Sequence, residues 1–364
     1  MFYFNLIKNE EEKLRFKQSK SGKREVLIWS VALIAVLVFF SLALYYVAFV
    51  SEFSSNFVTV PVSLQLKWMH QAQFAGHYVG IEKGFYRENG LEIKQLIPFS
   101  FDDKFPINKV QYRDVDFAIT GADELLIAKS NGLADDVVAI AVIYKKNPVT
   151  LYTFSDSGIN EPLDLIGKTV GIERAGDGTE VNIGILYYAM LDFLRIDREL
   201  VSDVTIGYDA TELLAGDVDV ASGYIINEPY FLIQAGYAPV TISPADYGVN
   251  MYADVVIANK NFIKENPKLV ASFVDATIKG WKYAIDESNE DEVLDIVLKY
   301  AKGSSRAHQQ YMLDQSRPLI SPIRGENIGK MSYTEWSRSF DILLNAGLIG
   351  HHVVVSEVFT NDFT

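Results

Sequence analysis

Between residues 64 and 94 the chain reads LQLKWMHQAQFAGHYVGIEKGFYRENGLEIK, and Lys67, Trp68, His70, Gln71 and Gln73 put a cation, an indole, an imidazole and two amides into one short loop. Such a set can stack on a planar ring, donate to an oxygen and accept from an amine, which is the chemistry of small-molecule recognition. Trp68 and Phe74 also suit an apolar core, with the polar residues between them solvated. A second loop, Thr120-Gly121-Ala122-Asp123-Glu124, follows the apolar run Phe117-Ala118-Ile119. Gly121 and Ala122 would let a ligand approach the backbone, and Asp123 or Glu124 could accept from an amino group. Helix capping by Asp123 accounts for the same residues, and both roles can hold together. A third loop carries Arg174, Gly176, Asp177, Gly178 and Thr179 ahead of an apolar helix. Its backbone N–H groups could meet an anion with help from Arg174, or it could be a plain connector. Glu173, Asp177 and Glu180 would repel an anion unless they face away. In the fourth, Asn227-Glu228-Pro229, the proline suits a first helical turn and aims Asn227 and Glu228 at the mouth of the preceding strand, although Asn227 serves equally as an N-cap.

Catalysis finds less support in the residue pattern. The five histidines, His70, His77, His308, His351 and His352, show no paired-ligand spacing on an expected helix, so a metal hydrolase is disfavoured and no metal ligand is assigned. No G-x-S-x-G elbow and no P-loop occurs, and no catalytic residue is assigned.

The loops need elements to hold them at one place. Val62, Leu64 and Leu66 alternate as in a strand, the spacing from Phe74 to Lys83 is helical, Gly84 suits a left-handed cap, and Asn89-Gly90 turns into a strand over Leu91 to Leu96, which makes a βαβ unit. Ligands of open α/β sheets sit outside the carboxyl ends of strands, where Lys67 to Phe74 falls. Val137 to Tyr144 reads as a buried strand, with Val149 to Phe154 extended after the Lys145-Lys146-Asn147-Pro148 break. Strands are expected over Thr169–Ile172, Thr205–Tyr208, Val218–Tyr224 and Tyr252–Asn259. Helices are expected over Val181–Leu194, Pro267–Ile285, Asp291–Tyr300 and Glu335–Ala346. Pro239 to Gly248 has little periodicity and suits a return crossover.

The motif L-K-W-x-H-Q-x-Q-F-A-G, with E-K-G-F-Y, D-V-D-F-A-I-T-G-A-D, L-I-G-K-T-V-G-I, I-N-E-P-Y-F and Y-A-D-V-V-I-A-N, resembles the SsuA/THI5-like family, which groups substrate-binding proteins with thiamine-pyrimidine synthases. The resemblance runs from about Pro61 to about Leu348. It implies an α/β, two-lobed periplasmic binding protein fold of type II, with residues 62–144 and 249–348 as lobe one, 149–240 as lobe two and 349–364 as a tail. It implies a solute-binding function for a small planar, amino-bearing ligand such as a thiamine-pyrimidine precursor, with no cofactor. The partner would be an ABC-transporter permease or, since no kinase or cyclase module is present, a separate sensor subunit. Trp68 would stack on the ring, Phe74 would wall the pocket, and Glu124, Asn227 and Glu228 would accept from amines; Lys67, His70, Gln73, Thr120, Gly121 and Asp123 complete the expected lobe-one lining. The synthases hold pyridoxal phosphate through a lysine and a histidine and feed an iron site from a cysteine-rich run. At the matching positions this chain has Thr120, Glu124 and Gly248-Val249-Asn250-Met251-Tyr252, which puts synthase chemistry in doubt.

Composition bounds the rest. The chain has 364 residues, no cysteine and a net charge of −14, which excludes disulfides and thiolate sites and argues against nucleic acid. Residues 1–25 form a basic segment with seven Lys/Arg against four Glu, and residues 26–50 carry no charge, which leaves −17 on residues 51–364. As a helix, 25 uncharged residues reach roughly 37 Å, enough to cross a hydrocarbon core of about 30 Å. The expectation is a single transmembrane helix with its basic flank cytoplasmic, residues 51–61 as a tether, and everything after them extracytoplasmic. An uncleaved anchor is favoured over a cleaved signal because the apolar stretch is longer than a signal-peptide core and lacks a small-x-small pair before Ser51.

Overall fold

The computed structural model describes residues 36–46, 59–100, 103–173, 182–321 and 327–364. Residues 36–46 are helical and form part of a unit separate from the compact unit Thr59–Thr364. Eleven residues amount to about 16 Å of helix, and among the described residues no helix is long and apolar enough to cross a membrane. The remainder of the expected span 26–50, the basic segment 1–25 and most of the tether lie outside the described residues.

Within the larger unit the described strands form two five-stranded sheets. The first contains β1 (Val60–Gln65), β2 (Leu91–Ile97), β3 (Phe117–Thr120), β4 (Val137–Val142) and β10 (Val255–Asn259), in the order β2-β1-β3-β10-β4. The second contains β5 (Val149–Phe154), β6 (Thr169–Glu173), β7 (Ser202–Ile206), β8 (Val220–Tyr224) and β9 (Pro239–Ile242), in the order β7-β6-β8-β5-β9. β1 runs parallel to β2 and β3, whereas β10 is inserted antiparallel between β3 and β4. The chain therefore crosses between sheets twice, over residues 143–148 and 243–254. Every residue of β3, β4 and β10 is buried, as expected for strands covered on both faces.

Helix Ala75–Glu82, which follows the first loop, is pressed against the amphipathic helix Pro267–Ala284. A Cβ on Gly280 would lie 2.1 Å from the carbonyl oxygen of Gly76, so the approach of the two backbones depends on glycine there. Gly84 adopts φ 81°, the left-handed turn expected of it.

Four features differ from expectation. Pro239–Ile242 is a strand inside the expected return crossover; it pairs only with β5, and a proline is tolerated at the first residue of such an edge strand. β7 starts at Ser202 instead of Thr205, because it is a largely exposed edge strand whose polar residues carry no alternating pattern. Arg306–Ile320 is a helix that the sequence reading did not assign; it contains Pro318 in its last turn and has a polar overall composition. Residues 349–364 do not stand apart as a tail: Ala139 N–H donates to the Val358 carbonyl at 2.9 Å, Thr360 N–H returns a bond to Ala139 at 2.9 Å, and Phe359 stacks on Trp336. They cover the edge of β4.

Candidate functional site

The strand ends of the two sheets meet through side-chain contacts, and several acids lie among them. β1 ends beneath Lys67, whose ammonium lies 3.7 Å from Asp254 and 3.4 Å from the hydroxyl of Tyr224 at the end of β8. A lobe-one lysine thus reaches lobe two. Trp68 lies over Phe99, with centroids 6.1 Å apart and planes 11° apart, and is tilted against Tyr208 of lobe two at 5.5 Å. Tyr311, on the unassigned helix, donates to the Ile225 carbonyl at 3.0 Å, and His308 stacks on Tyr230 at 4.5 Å. These contacts join the lobes.

In lobe one, β3 delivers Thr120 to Glu124. The Glu124 carboxylate accepts from the Thr120 hydroxyl and from Gly121 N–H at 2.7 Å, closing the first turn of helix Ala122–Ser130 as an acid at a helix N-terminus does. Asp254, placed by the second crossover, accepts at both oxygens from the Gln73 amide, at 3.0 and 3.1 Å. Asp123 is fully buried, and neither of its carboxylate oxygens has a partner. Burial and the neighbouring Glu124 push its carboxyl up to about 7 against the pull of Lys67. Burial likewise raises Asp254 to about 6. Burial opposes the charge on Lys67, but the Tyr224 hydroxyl and the carboxylates of Glu124, Asp254 and Asp123 outweigh it and hold the ammonium well above its ordinary range.

In lobe two, Gly171 of β6 lies beside Ala221 of β8, and this register carries Glu173 alongside Gly223. The Glu228 side chain occupies the space that a Cβ on Gly223 would need, 2.8 Å from its own Cβ. Two buried carboxylates are therefore neighbours. Glu228 accepts from Tyr224 N–H at 2.6 Å and from the Asn227 amide, and burial still raises it to about 7. Glu173 is raised well above the carboxylate range by burial and by Glu228 and Asp209, and its Oε1 has no partner.

Of the residues expected to line a ligand site, Lys67, Trp68, Gln73, Thr120, Gly121, Asp123 and Glu124 gather at the lobe-one strand ends, and Asn227 and Glu228 at the end of β8. Arg174 and the loop Gly176 to Thr179 lie outside the described residues. Two are placed elsewhere. Phe74 has 0% exposure within the lobe-one core, so it packs under the loop and offers no wall. His70 turns to the outer helices, where its Nδ1 pairs with the Tyr78 hydroxyl at 3.1 Å and its ring meets Tyr300. The sequence reading did not single out Asp254, Tyr224, Tyr208 or Tyr311. Asp254 had one signal, an acid set against the apolar run of β10; the tyrosines had none, since they come from separate elements.

Two α/β lobes with an inserted antiparallel strand, two crossovers and polar strand ends facing one another define the architecture of the periplasmic binding proteins. In agreement, the chain superimposes on the putative sulfonate ABC transporter periplasmic sulfonate-binding protein SsuA of Methylobacillus flagellatus KT with a TM-score of 0.63 at 17% identity, covering 84% of this chain and 93% of that one. The family profile described as NMT1/THI5 like matches residues 71–291, and the chain belongs to that family. Among curated proteins it is 29% identical over 314 residues to the riboflavin-binding protein RibY of Chloroflexus aurantiacus, covering 83% of this chain and 85% of the relative. It is 28% identical over 240 residues to the formylaminopyrimidine-binding protein of Halalkalibacterium halodurans, covering 65% and 69% respectively.

Proposed function

We propose that this chain is an extracytoplasmic solute-binding protein that closes its lobes over a planar, amino-bearing nitrogen heterocycle of the pyrimidine type. The observation that carries it is the charge of the cleft. Among the described residues, Asp123, Glu124 and Asp254 act on the cation Lys67, next in sequence to the partly exposed Trp68, and Glu173 and Glu228 add a second buried acidic pair at the lobe-two strand ends. The ionised members of this set suit N–H donors on a flat ring and disfavour an oxyanion, which they would repel. Anion selectivity of the sulfonate-binder kind therefore does not transfer with the fold. The names of the two curated relatives point the same way, since formylaminopyrimidine and riboflavin both contain a pyrimidine ring. Closure about the two crossovers would present the loaded form to an ABC-transporter permease or a sensor subunit. The uncharged stretch 26–50 would anchor the protein to the membrane, with the lobes on the far side from the basic segment. Native mass spectrometry of gently purified protein tests the ligand class: a co-purified heterocycle, replaced on adding an aminopyrimidine or flavin, is expected. A co-purified sulfonate, or no response to any heterocycle, would refute it.

A further inference from the structure

Counting the hydrogen bonds of each cleft carboxylate separates those that build the protein from those left for something else. Glu124 Oε2 is taken by Thr120 and Gly121, both oxygens of Asp254 by Gln73, and both oxygens of Glu228 by Tyr224 N–H and Asn227. These acids hold the ends of strands and helices in place. Glu173 keeps one oxygen, Oε1, without a partner, whereas Asp123, 0% exposed, has a hydrogen-bond partner at neither. A buried carboxylate without partners is costly, and such groups are rare in folded proteins. The Lys67 ammonium, close enough to act on that carboxyl, has three donors, and its contacts are long, at 3.4 Å to Tyr224 and 3.7 Å to Asp254. The neighbouring ends of β1 and β3 thus bring an acceptor without hydrogen-bond partners close to a donor whose acceptors are distant, in the loop that carries Trp68.

We infer that Asp123 and Lys67 together read a donor–acceptor edge of the ligand: an N–H, exocyclic or in the ring, donates to the Asp123 carboxylate while the adjacent ring nitrogen or carbonyl oxygen accepts from the Lys67 ammonium. The inference rests on the solute-binding role proposed above and assigns the selective contact to Asp123, one of the two acids the sequence offered in that loop. A 4-aminopyrimidine carries such an edge, as does the imide side of a flavin; a ring without the N–H leaves the carboxylate orphaned, and a sulfonate offers no donor at all.

Calorimetry of the full-length protein in detergent with 4-amino-2-methylpyrimidine, its analogue 2-methylpyrimidine, and riboflavin tests this. The wild type is expected to bind one or both N–H-bearing probes and to prefer the aminopyrimidine over its analogue. Asp123→Asn, which keeps the shape and exchanges an acceptor for a donor, is expected to weaken the N–H-bearing probe about 100-fold and to lose the preference. Lys67→Met should weaken both pyrimidines together, and it serves in place of the Asn variant if that variant does not fold. Binding by the wild type with the preference retained in Asp123→Asn, or in Lys67→Met an undiminished affinity, overturns the inference and leaves the solute-binding role standing. Failure of the wild type to bind any of the three or any wider set of heterocycles refutes that role itself.

Discussion

Glu228→Gln should change how stability depends on pH in a direction and size fixed by the site. The Glu228 carboxyl is 6% exposed and sits beside Glu173, with its ordinary value of 4.5 raised to about 7, chiefly by burial. That displacement corresponds to about 3 kcal/mol. Below pH 4.5 the native and unfolded chains both hold the proton, and the group contributes nothing that varies. As pH rises from 4.5 towards 7 the unfolded chain releases the proton first, so the native state loses stability and the loss is complete above pH 7. Glutamine does not titrate. The bonds to Tyr224 and Asn227 that the amide replaces shift the curve vertically by a pH-independent amount, so the slope carries the result. Relief of the repulsion on Glu173 adds in the same direction. Urea unfolding of the two proteins at intervals from pH 4.5 to 8 is expected to show the wild type losing about 3 kcal/mol relative to the variant. Parallel curves, or a wild type that gains on the variant with rising pH, would show that Glu228 is ionised throughout and that the buried pair is misread.

Other substitutions test separate features. Trp68→Ala should weaken ligand binding by about tenfold or more while lowering the melting temperature of the empty protein less than Phe74→Ala, which, in the core, should cost about 3–5 kcal/mol of stability in the same melting assay. Gly280→Ala should lower the melting point sharply, since its Cβ would meet a backbone oxygen at 2.1 Å; overpacking of this kind costs about 1–3 kcal/mol, and an unchanged melt would refute the close helix approach. Tyr311→Phe removes the 3.0 Å bond to Ile225 across the lobes, about 1 kcal/mol, and should raise the open population roughly fivefold by interlobe fluorescence transfer. No change in transfer efficiency would mean the bond is not part of closure.

Much of the fold could be read from the chain because the relevant forces are local. β4 is six consecutive apolar residues, Gly84 and Asn89-Gly90 mark turns by backbone preference, and Pro267–Ala284 alternates its faces. What could not be read depends on neighbours far along the chain. β9 and β7 are edge strands, held by one partner each, and their own residues say little. Helix Arg306–Ile320 shows a weak apolar pattern because two polar residues interrupt its buried face, Gln309, which accepts from Ala72 N–H, and Ser316, which bonds to Tyr144. At the site, the four acidic or polar loops were visible as candidates. The division of labour among their carboxylates was not, because it depends on which lone pairs are already taken by Gly121, Gln73 and Asn227.

The antiparallel strand at the heart of the first sheet has a consequence for how the protein is made. β10 pairs with β3 and β4, yet 112 residues separate the end of β4 from the start of β10, and they include the whole second sheet. During synthesis β3 and β4 must wait, each with a bare apolar edge, until that sheet has emerged. Long-range closure of this kind is slow, and the waiting edges are available to other chains. Mutations that slow the second half should therefore reveal themselves as aggregation of the first.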